Sequence, residues 1–131
     1  MEVPQNISGF VAWFDASEGG LDLKTVETHC HQNAGAARGD HFGIYSNPRR
    51  VTPESQTEQQ PLVGPHTILA YHGWVGNKTE VAHKLGRPEL AGGEDGWLIV
   101  AAYEHWGRLF AAHLEGEFAL VIFDRTSGRV T

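Results

Sequence analysis

The sequence predicts an α+β domain, and three observations carry that prediction. Residues 95–123 run from apolar side chains at helical spacing, through a second short helix, to an apolar run of strand length. Residues 7–14 form another apolar segment, rich in the aromatic and β-branched residues typical of strands. Turn-forming residues such as Gly116 and the Thr126-Ser127-Gly128 triplet separate these segments. We therefore expect helices packed on a buried sheet.

Length and composition indicate one domain, covering residues 1–131, with 40% apolar and 20% charged residues. The net charge of −6, with only 10 Lys and Arg, argues against a nucleic-acid partner. The first ten residues show neither the basic nor the apolar region typical of a signal peptide, and the apolar runs are too short to span a bilayer. The single cysteine, Cys30, excludes an internal disulfide. We expect a cytoplasmic protein that is not associated with membranes.

The first half of the chain contains two predicted strands and one predicted helix. Residues 7–14 are apolar on both faces and predict a buried strand, and residues 21–32 predict a helix. Residues 33–43 are rich in Gly and Ala and predict a loop, with a short strand at 42–45. Residues 47–60 are polar, carry two prolines and predict a surface loop.

The middle of the chain predicts a strand, a turn and a helix. Residues 67–71 have strand character, and residues 72–76 contain two glycines and predict a turn. A helix ending at Leu85 follows, for which either Asn77 or Thr79 could serve as the N-cap.

The last third predicts an amphipathic helix, a short helix, a strand and a hairpin. The apolar residues of the first helix recur near helical spacing: Leu98, Ala101, Ala102, Tyr103 and Trp106. Residues 118–123 predict a buried strand, followed by a turn at 124–128. The return strand has about three residues, which is shorter than the roughly five or six residues of a typical strand. We expect a piece of a longer protein, or a chain that another chain completes.

Five segments, taken in order, carry a family resemblance. They are SGFVA at 8–12, RGDHFGIY at 38–45, QPL at 60–62, HGWVGN at 72–77 and the stretch 95–124. They resemble the glutaminase domain of class II glutamine amidotransferases, in the branch shared by asparagine synthetases, β-lactam synthetases and lasso-peptide cyclases. The corresponding motifs are Cys-Gly-Ile-Ala-Gly, Arg-Gly-Pro-Asp, Gln-Pro-hydrophobic, Asn-Gly-Glu-Ile-Tyr-Asn, and Asp-Thr-Glu followed by an apolar helix, Leu-x-Gly-x-Phe-Ala and a strand ending in Trp or Tyr and Asp.

This resemblance implies a fold and a mechanism. The fold is the αββα sandwich of N-terminal-nucleophile hydrolases, here incomplete at the C-terminus. The mechanism needs a cysteine at the N-terminus, because its thiolate attacks the glutamine amide while its own amine serves as the base. The nucleophile position holds Ser8, preceded by seven residues. We therefore expect glutaminase activity to be lost unless residues 1–7 are removed.

The resemblance also assigns an oxyanion hole, in which an asparagine side chain and the next glycine N–H stabilise the intermediate. His72 stands at the asparagine position, and Gly73 is retained. Losing one such donor costs on the order of a hundredfold in rate. Histidine can donate a hydrogen bond, but its ring has a different reach.

The contacts to glutamine implied by the resemblance are mostly altered. Trp74 replaces a glutamate that helps to bind the amino group, and Asp95 retains the aspartate that contacts it. Gly96-Trp97 replaces the Thr-Glu that follows. Arg49 is the counterpart of the arginine that binds the glutamine carboxylate, although Arg50 fits nearly as well.

The leading functional prediction is a catalytically degenerate glutaminase-like domain with a structural or docking role. In the relatives that it resembles, an ATP-pyrophosphatase synthetase domain closes an amide using an amine of the substrate itself. No cofactor is expected in this chain, and ATP and Mg are implied only for a partner or for a missing synthetase domain. The expected partners are such a synthetase domain or a second copy of the chain.

Two alternatives stay open. The first is an active amidohydrolase or amidotransferase that uses Ser8 after processing. The second is a stand-alone module that binds an amino-acid-like ligand or a precursor peptide. A metal site is not expected, because helical geometry would point the side chains of His29, Cys30 and His31 in different directions.

Overall fold

A computed structural model describes residues 9–14, 35–38, 42–47 and 60–131. The first three ranges form strands β1 (Gly9–Phe14), β2 (Gly35–Arg38) and β3 (Phe42–Asn47). They make an antiparallel sheet with β3 in the centre. The predicted helix at 21–32 lies outside the described residues, as does nearly all of the predicted loop at 47–60.

Strand β2 corrects the prediction of a loop at 33–43. Its four residues are Gly, Ala, Ala and Arg, which have little strand character of their own. They become a strand because each pairs with β3, from Gly35 opposite Ser46 to Arg38 opposite Gly43. Pairing with a neighbour, and not local propensity, makes this strand.

The second sheet is antiparallel and has four strands in sequence order. They are β4 (Leu62–Val63), β5 (Thr67–Val75), β6 (Gly116–Asp124) and β7 (Arg129–Val130). The predicted strands at 67–71 and 118–123 are confirmed. The predicted turn at 72–76 is wrong, because β5 continues to Val75, which pairs with Gly116.

Two α-helices and two 3₁₀ helices lie between β5 and β6. Helix α1 is Lys78–Lys84 and helix α2 is Asp95–Trp106, and the 3₁₀ helices are Pro88–Gly92 and Gly107–His113. Helix α2 ends at Trp106, and the next residue, Gly107, has a φ of 60° that suits a glycine. No helix within the described ranges has the length and apolar character needed to cross a membrane.

Asn77 precedes α1, but its side chain does not cap the helix. Its Nδ2 donates to His113 O at 3.0 Å, and its Oδ1 accepts from Glu115 N–H at 2.9 Å. Asn77 therefore anchors the start of α1 to the segment that enters β6.

Strand β5 separates two apolar clusters. Leu69 and Tyr71 pack against the helices, and Ile68 and Ala70 pack against the three-stranded sheet. The described residues thus form three layers, with helices on one face of the four-stranded sheet and a second sheet on the other. The predicted α+β class, with antiparallel sheets, is confirmed.

Burial differs from the prediction at three elements. Helix α2 is not amphipathic, since it is buried on most sides and exposes few residues: Trp97, Glu104 and His105. Strand β6 is only partly covered, with Ile122 its one buried residue. In β1, which was predicted to be buried, Ala12 and Phe14 are exposed.

The predicted hairpin at the end of the chain is confirmed. Phe123 pairs with Val130 and Asp124 with Arg129. Thr131 and Ile122 exchange two backbone hydrogen bonds of 2.8 and 2.9 Å. These bonds extend the pairing one residue beyond β7.

Candidate functional site

The structure places four of the six predicted site residues at the junction of β5 and α2. His72, Gly73 and Trp74 are consecutive in β5, and Asp95 is the first residue of α2. Ser8 and Arg49 lie outside the described residues.

One edge of β5 binds the Asp95 side chain at Val75, two residues after Gly73. In an antiparallel strand, alternate N–H groups point to opposite edges. Tyr71 N–H donates to Gln60 Oε1 at 2.9 Å, and Val75 N–H donates to Asp95 Oδ2 at 2.8 Å, both away from β6. Gly73 lies between these two residues, so regular alternation would place its N–H on the same edge, about 7 Å along the strand from each of those groups.

Gly73 has a structural reason to be glycine. Its φ is 121°, and a Cβ there would lie 2.0 Å from Glu117 O. Gly116, on the opposite strand, has a φ of 151°, and a Cβ there would lie 2.2 Å from Trp74 O. Both glycines are thus needed where β5 and β6 approach each other. The retention of Gly73 therefore does not by itself indicate catalysis.

The Asp95 carboxylate has a protein donor on each oxygen. Oδ2 accepts from Val75 N–H, and Oδ1 lies 2.9 Å from Lys78 Nζ. Lys78 Nζ also donates to Gly93 O at 3.1 Å. The side chains of Lys78 and Asp95 are 24% and 17% exposed. The formal charges of this half-buried pair cancel.

The far end of β5 and β6 presents an open face toward the side of the three-stranded sheet. This open face consists of His72, Trp74, Glu117 and Ala119, and all but the half-buried His72 are exposed. The Trp74 ring folds over Gly76, where a Cβ would meet the ring at 2.7 Å. Trp74 is 53% exposed and Trp97 is 41% exposed. Neither ring fills a closed pocket.

The site contains three groups that the sequence did not single out. Lys78 neutralises Asp95, Gln60 occupies the β5 edge beside Gly73, and Glu117 supplies the carboxylate of the open face. The Gln-Pro segment at 60–62 was a signal for Gln60. Nothing in the sequence signals the partnership of Lys78 and Asp95, which belong to different helices.

The described residues of the site supply hydrogen-bonding groups. His72 can donate or accept a hydrogen bond, and the Gly73 N–H is a backbone donor at the strand edge. Among the described residues, no group of three or more His, Cys, Asp or Glu side chains is arranged to hold a metal ion. The site offers polar recognition, with its single retained aspartate already paired.

Comparison with protein families finds a match for the second part of the chain. Residues 48–131, well over half of the chain, match the family described as a glutamine amidotransferase domain. The chain therefore belongs to the glutamine amidotransferase domain family. The match includes β5, α2 and β6, which build the site. A comparison with curated proteins found no match.

Proposed function

We propose that this chain is a glutaminase-like domain that has lost glutamine hydrolysis and has a structural or docking role. The observation that carries this proposal is the pairing of Asp95 with Lys78 and with Val75 N–H. A carboxylate that holds an amino acid by its α-ammonium must offer that ammonium a negative charge. Here the charge is already neutralised by a lysine of the same chain.

Electrostatics supports the loss of glutamine binding. An α-ammonium about 4 Å from Lys78 Nζ would meet a repulsion of about 4 kcal/mol at an effective dielectric constant of about 20. Trp74, at the position of the second family carboxylate, supplies no compensating charge. The attraction that two carboxylates would provide is therefore absent from this pair of positions.

The nucleophile position supports the same proposal. Ser8 follows seven residues, and a serine whose amine is part of a peptide bond has lost the base that the mechanism uses. At the oxyanion position, His72 replaces an amide with a ring of different reach. Both changes weaken the attack on the amide, one by removing the base and the other by altering the donor to the oxyanion that the attack creates.

The finer parts of the proposal concern fold and partner. We place the chain in the asparagine synthetase branch, with the αββα architecture of N-terminal-nucleophile hydrolases, and in the cytoplasm. Its partner is a synthetase domain or a second copy of the chain. ATP and Mg are used by the synthetase. In this arrangement the substrate supplies its own amine, as in β-lactam or macrolactam closure, and ammonia from glutamine is not needed.

The test combines an N-terminal mass measurement with an assay of ammonia release from L-glutamine and L-asparagine. We expect residues 1–7 to be retained, apart from Met1, and no ammonia above the buffer rate. A protein that begins at Ser8 and releases ammonia would contradict the proposal and support an active hydrolase.

A matched control isolates the pocket from the nucleophile. A chain that begins at residue 8 with Ser8→Cys has both the thiol and the free amine. We expect this variant to remain inactive toward glutamine, because the contacts at Trp74 and Asp95 are not restored. Hydrolysis by this variant would mean that the pocket still binds glutamine.

The docking role has a separate readout. We expect the partner synthetase, of the asparagine synthetase type, to form its amide only when this chain is added. The reaction should not consume glutamine. Full activity of the synthetase alone would contradict the docking role.

A further inference from the structure

Two oxygens contact the ammonium group of Lys78, one from Gly93 just before α2 and one from Asp95 at its start. Asp95 Oδ1 lies 2.9 Å from Lys78 Nζ, and Gly93 O lies 3.1 Å from it. A carboxylate oxygen together with a carbonyl oxygen is a suitable acceptor set for a primary ammonium, which carries three donors. We call these two oxygens the ammonium cradle.

The Lys78–Asp95 pair differs from an ordinary surface ion pair in the same molecule. Lys84 and Glu80 lie one turn apart on α1, with side chains 48% and 54% exposed. Lys78 and Asp95 join the starts of two different helices and are roughly half as exposed or less. Exposed pairs contribute little to stability, and withdrawal from solvent strengthens both the attraction and the cost of losing one partner.

The cradle does not depend on Lys78 for its shape. Val75 N–H holds Asp95 Oδ2 at 2.8 Å, so the strand edge fixes the carboxylate in place. Gly93 precedes α2 and is positioned by its own N–H, which donates to Leu90 O at 3.3 Å. Truncation of Lys78 would therefore leave a carboxylate and a carbonyl in place, with the ammonium removed.

We propose that Lys78 is an internal ligand that occupies a primary-ammonium site formed by Gly93 O and Asp95 Oδ1. This inference rests on the proposed function, in which Asp95 belongs to the former amino-acid site. The vacated cradle takes a primary alkylammonium, including the α-ammonium of an amino acid. Lys78 is thus the residue that closes the site to free amino acids.

The test is chemical rescue of Lys78→Ala by n-propylammonium, read as the midpoint of thermal unfolding. We expect the variant to be destabilised and n-propylammonium to raise its midpoint saturably, by about 3–5 °C at concentrations well above its dissociation constant. Tetramethylammonium at equal ionic strength has the charge but no N–H donor, and should give no saturable rise. Lys84→Ala, which loses the exposed pair, should not respond to either cation.

A second variant keeps the test decisive if Lys78→Ala does not fold. Lys78→Met retains the apolar stem and lacks only the ammonium group, so the ammonium ion should bind it detectably by calorimetry, while Lys78→Met/Asp95→Asn should not bind it. Any of three results would overturn the proposal. Tetramethylammonium could rescue Lys78→Ala as well as n-propylammonium does, neither single variant could respond, or the unmodified protein could respond as strongly as the variants.

Amino-acid ligands separate this inference from the proposed function. L-glutamine should bind Lys78→Ala and not the unmodified protein, and N-acetyl-L-glutamine, which lacks the ammonium, should bind neither. Binding of both ligands, or of neither, to the variant would overturn the assignment of the cradle to an α-ammonium. Ammonia release by the unmodified protein would instead contradict the proposed function, and that result does not depend on Lys78→Ala.

Discussion

The Tyr103 hydroxyl donates a hydrogen bond of 3.1 Å to Asp124 Oδ2 and so connects the last turn of α2 to the end of β6. The other carboxylate oxygen, Oδ1, accepts from the N–H groups of Thr126 and Ser127 at 2.9 and 3.2 Å. One carboxylate therefore shapes the β6–β7 turn and attaches it to the helical layer. The Ser127 N–H, followed by the Thr126 N–H and the Tyr103 hydroxyl, lowers the pKa of Asp124.

The first prediction concerns Tyr103 at alkaline pH. Burial, and then the nearby Asp124 carboxylate, raise the pKa of Tyr103 above its ordinary value of 10.0. The neutral phenol is therefore favoured in the folded state. Its contribution to stability is complete below pH about 10 and is lost as the pH rises through the higher pKa of the folded protein.

We expect Tyr103→Phe to remove this alkaline dependence, because phenylalanine does not titrate. The difference between the two proteins in free energy of unfolding should be constant from pH 7 to about 9 and should narrow above pH about 10. Urea unfolding across this range measures it. A difference that stays constant to the highest pH would show that the Tyr103 pKa is not raised by folding.

The second prediction concerns Gly73. An alanine there would need a φ near 121° and would place its Cβ 2.0 Å from Glu117 O. We expect Gly73→Ala to lower the free energy of unfolding by about 3 kcal/mol or more, because strain and a backbone clash act together. Gly92→Ala is the matched control, since a Cβ there has nothing within 4 Å. The control should be neutral or stabilising by about 0.5 kcal/mol, and an equal loss in both variants would contradict the prediction.

The sequence predicted the elements that carry long apolar runs, and it failed where pairing or distant contacts decide. Residues 118–123 and α2 were recognisable because six or more consecutive residues share one pattern. Residues 35–38 have no such pattern and form a strand only through β3. Residues 72–76 contain two glycines, which suggested a turn, but Gly73 instead allows close approach of β6.

The candidate site shows the same division. The sequence identified His72, Gly73, Trp74 and Asp95 through a resemblance, and the structure joins Asp95 to β5 at Val75, two residues after Gly73. It did not identify Lys78 as the partner of Asp95, because the sequence shows charges and not which charges meet. An ion pair between two helix starts depends on how those helices pack.

The third prediction concerns Gln60, which connects the two sheets. Its buried Oε1 accepts from Tyr71 N–H at 2.9 Å and from Ser46 Oγ at 3.3 Å. We expect Gln60→Leu to lower the free energy of unfolding by about 2–3 kcal/mol, because two buried donors lose their acceptor. Ser46→Ala removes one donor and should cost about 1 kcal/mol.

A double-mutant cycle with these two variants measures their coupling by urea unfolding. In the Gln60→Leu background, Ser46→Ala should cost less than it does alone, since the serine hydroxyl then has no acceptor to lose. Strict additivity would show that the Ser46–Gln60 hydrogen bond does not contribute to stability.

The fourth prediction concerns Thr67, at the start of β5. Thr67 is 2% exposed, and its Oγ1 is a buried polar atom that has no hydrogen-bond partner within the described residues. A hydroxyl that is withdrawn from water and has no partner among the described residues costs on the order of 1–3 kcal/mol. Valine has nearly the same shape, keeps the β-branched side chain that suits a strand, and replaces the hydroxyl with a methyl group. We therefore expect Thr67→Val to raise the free energy of unfolding by about 1 kcal/mol, measured by urea unfolding at pH 7.

Thr67→Ser, which keeps the hydroxyl and loses the methyl group, should be destabilising by about 1 kcal/mol and serves as the control. A loss of stability in Thr67→Val would mean that the hydroxyl has a partner in solution, such as an ordered water molecule near Gly64. Gly64 is close to the hydroxyl, since a Cβ added there would lie 3.4 Å from Thr67 Oγ1.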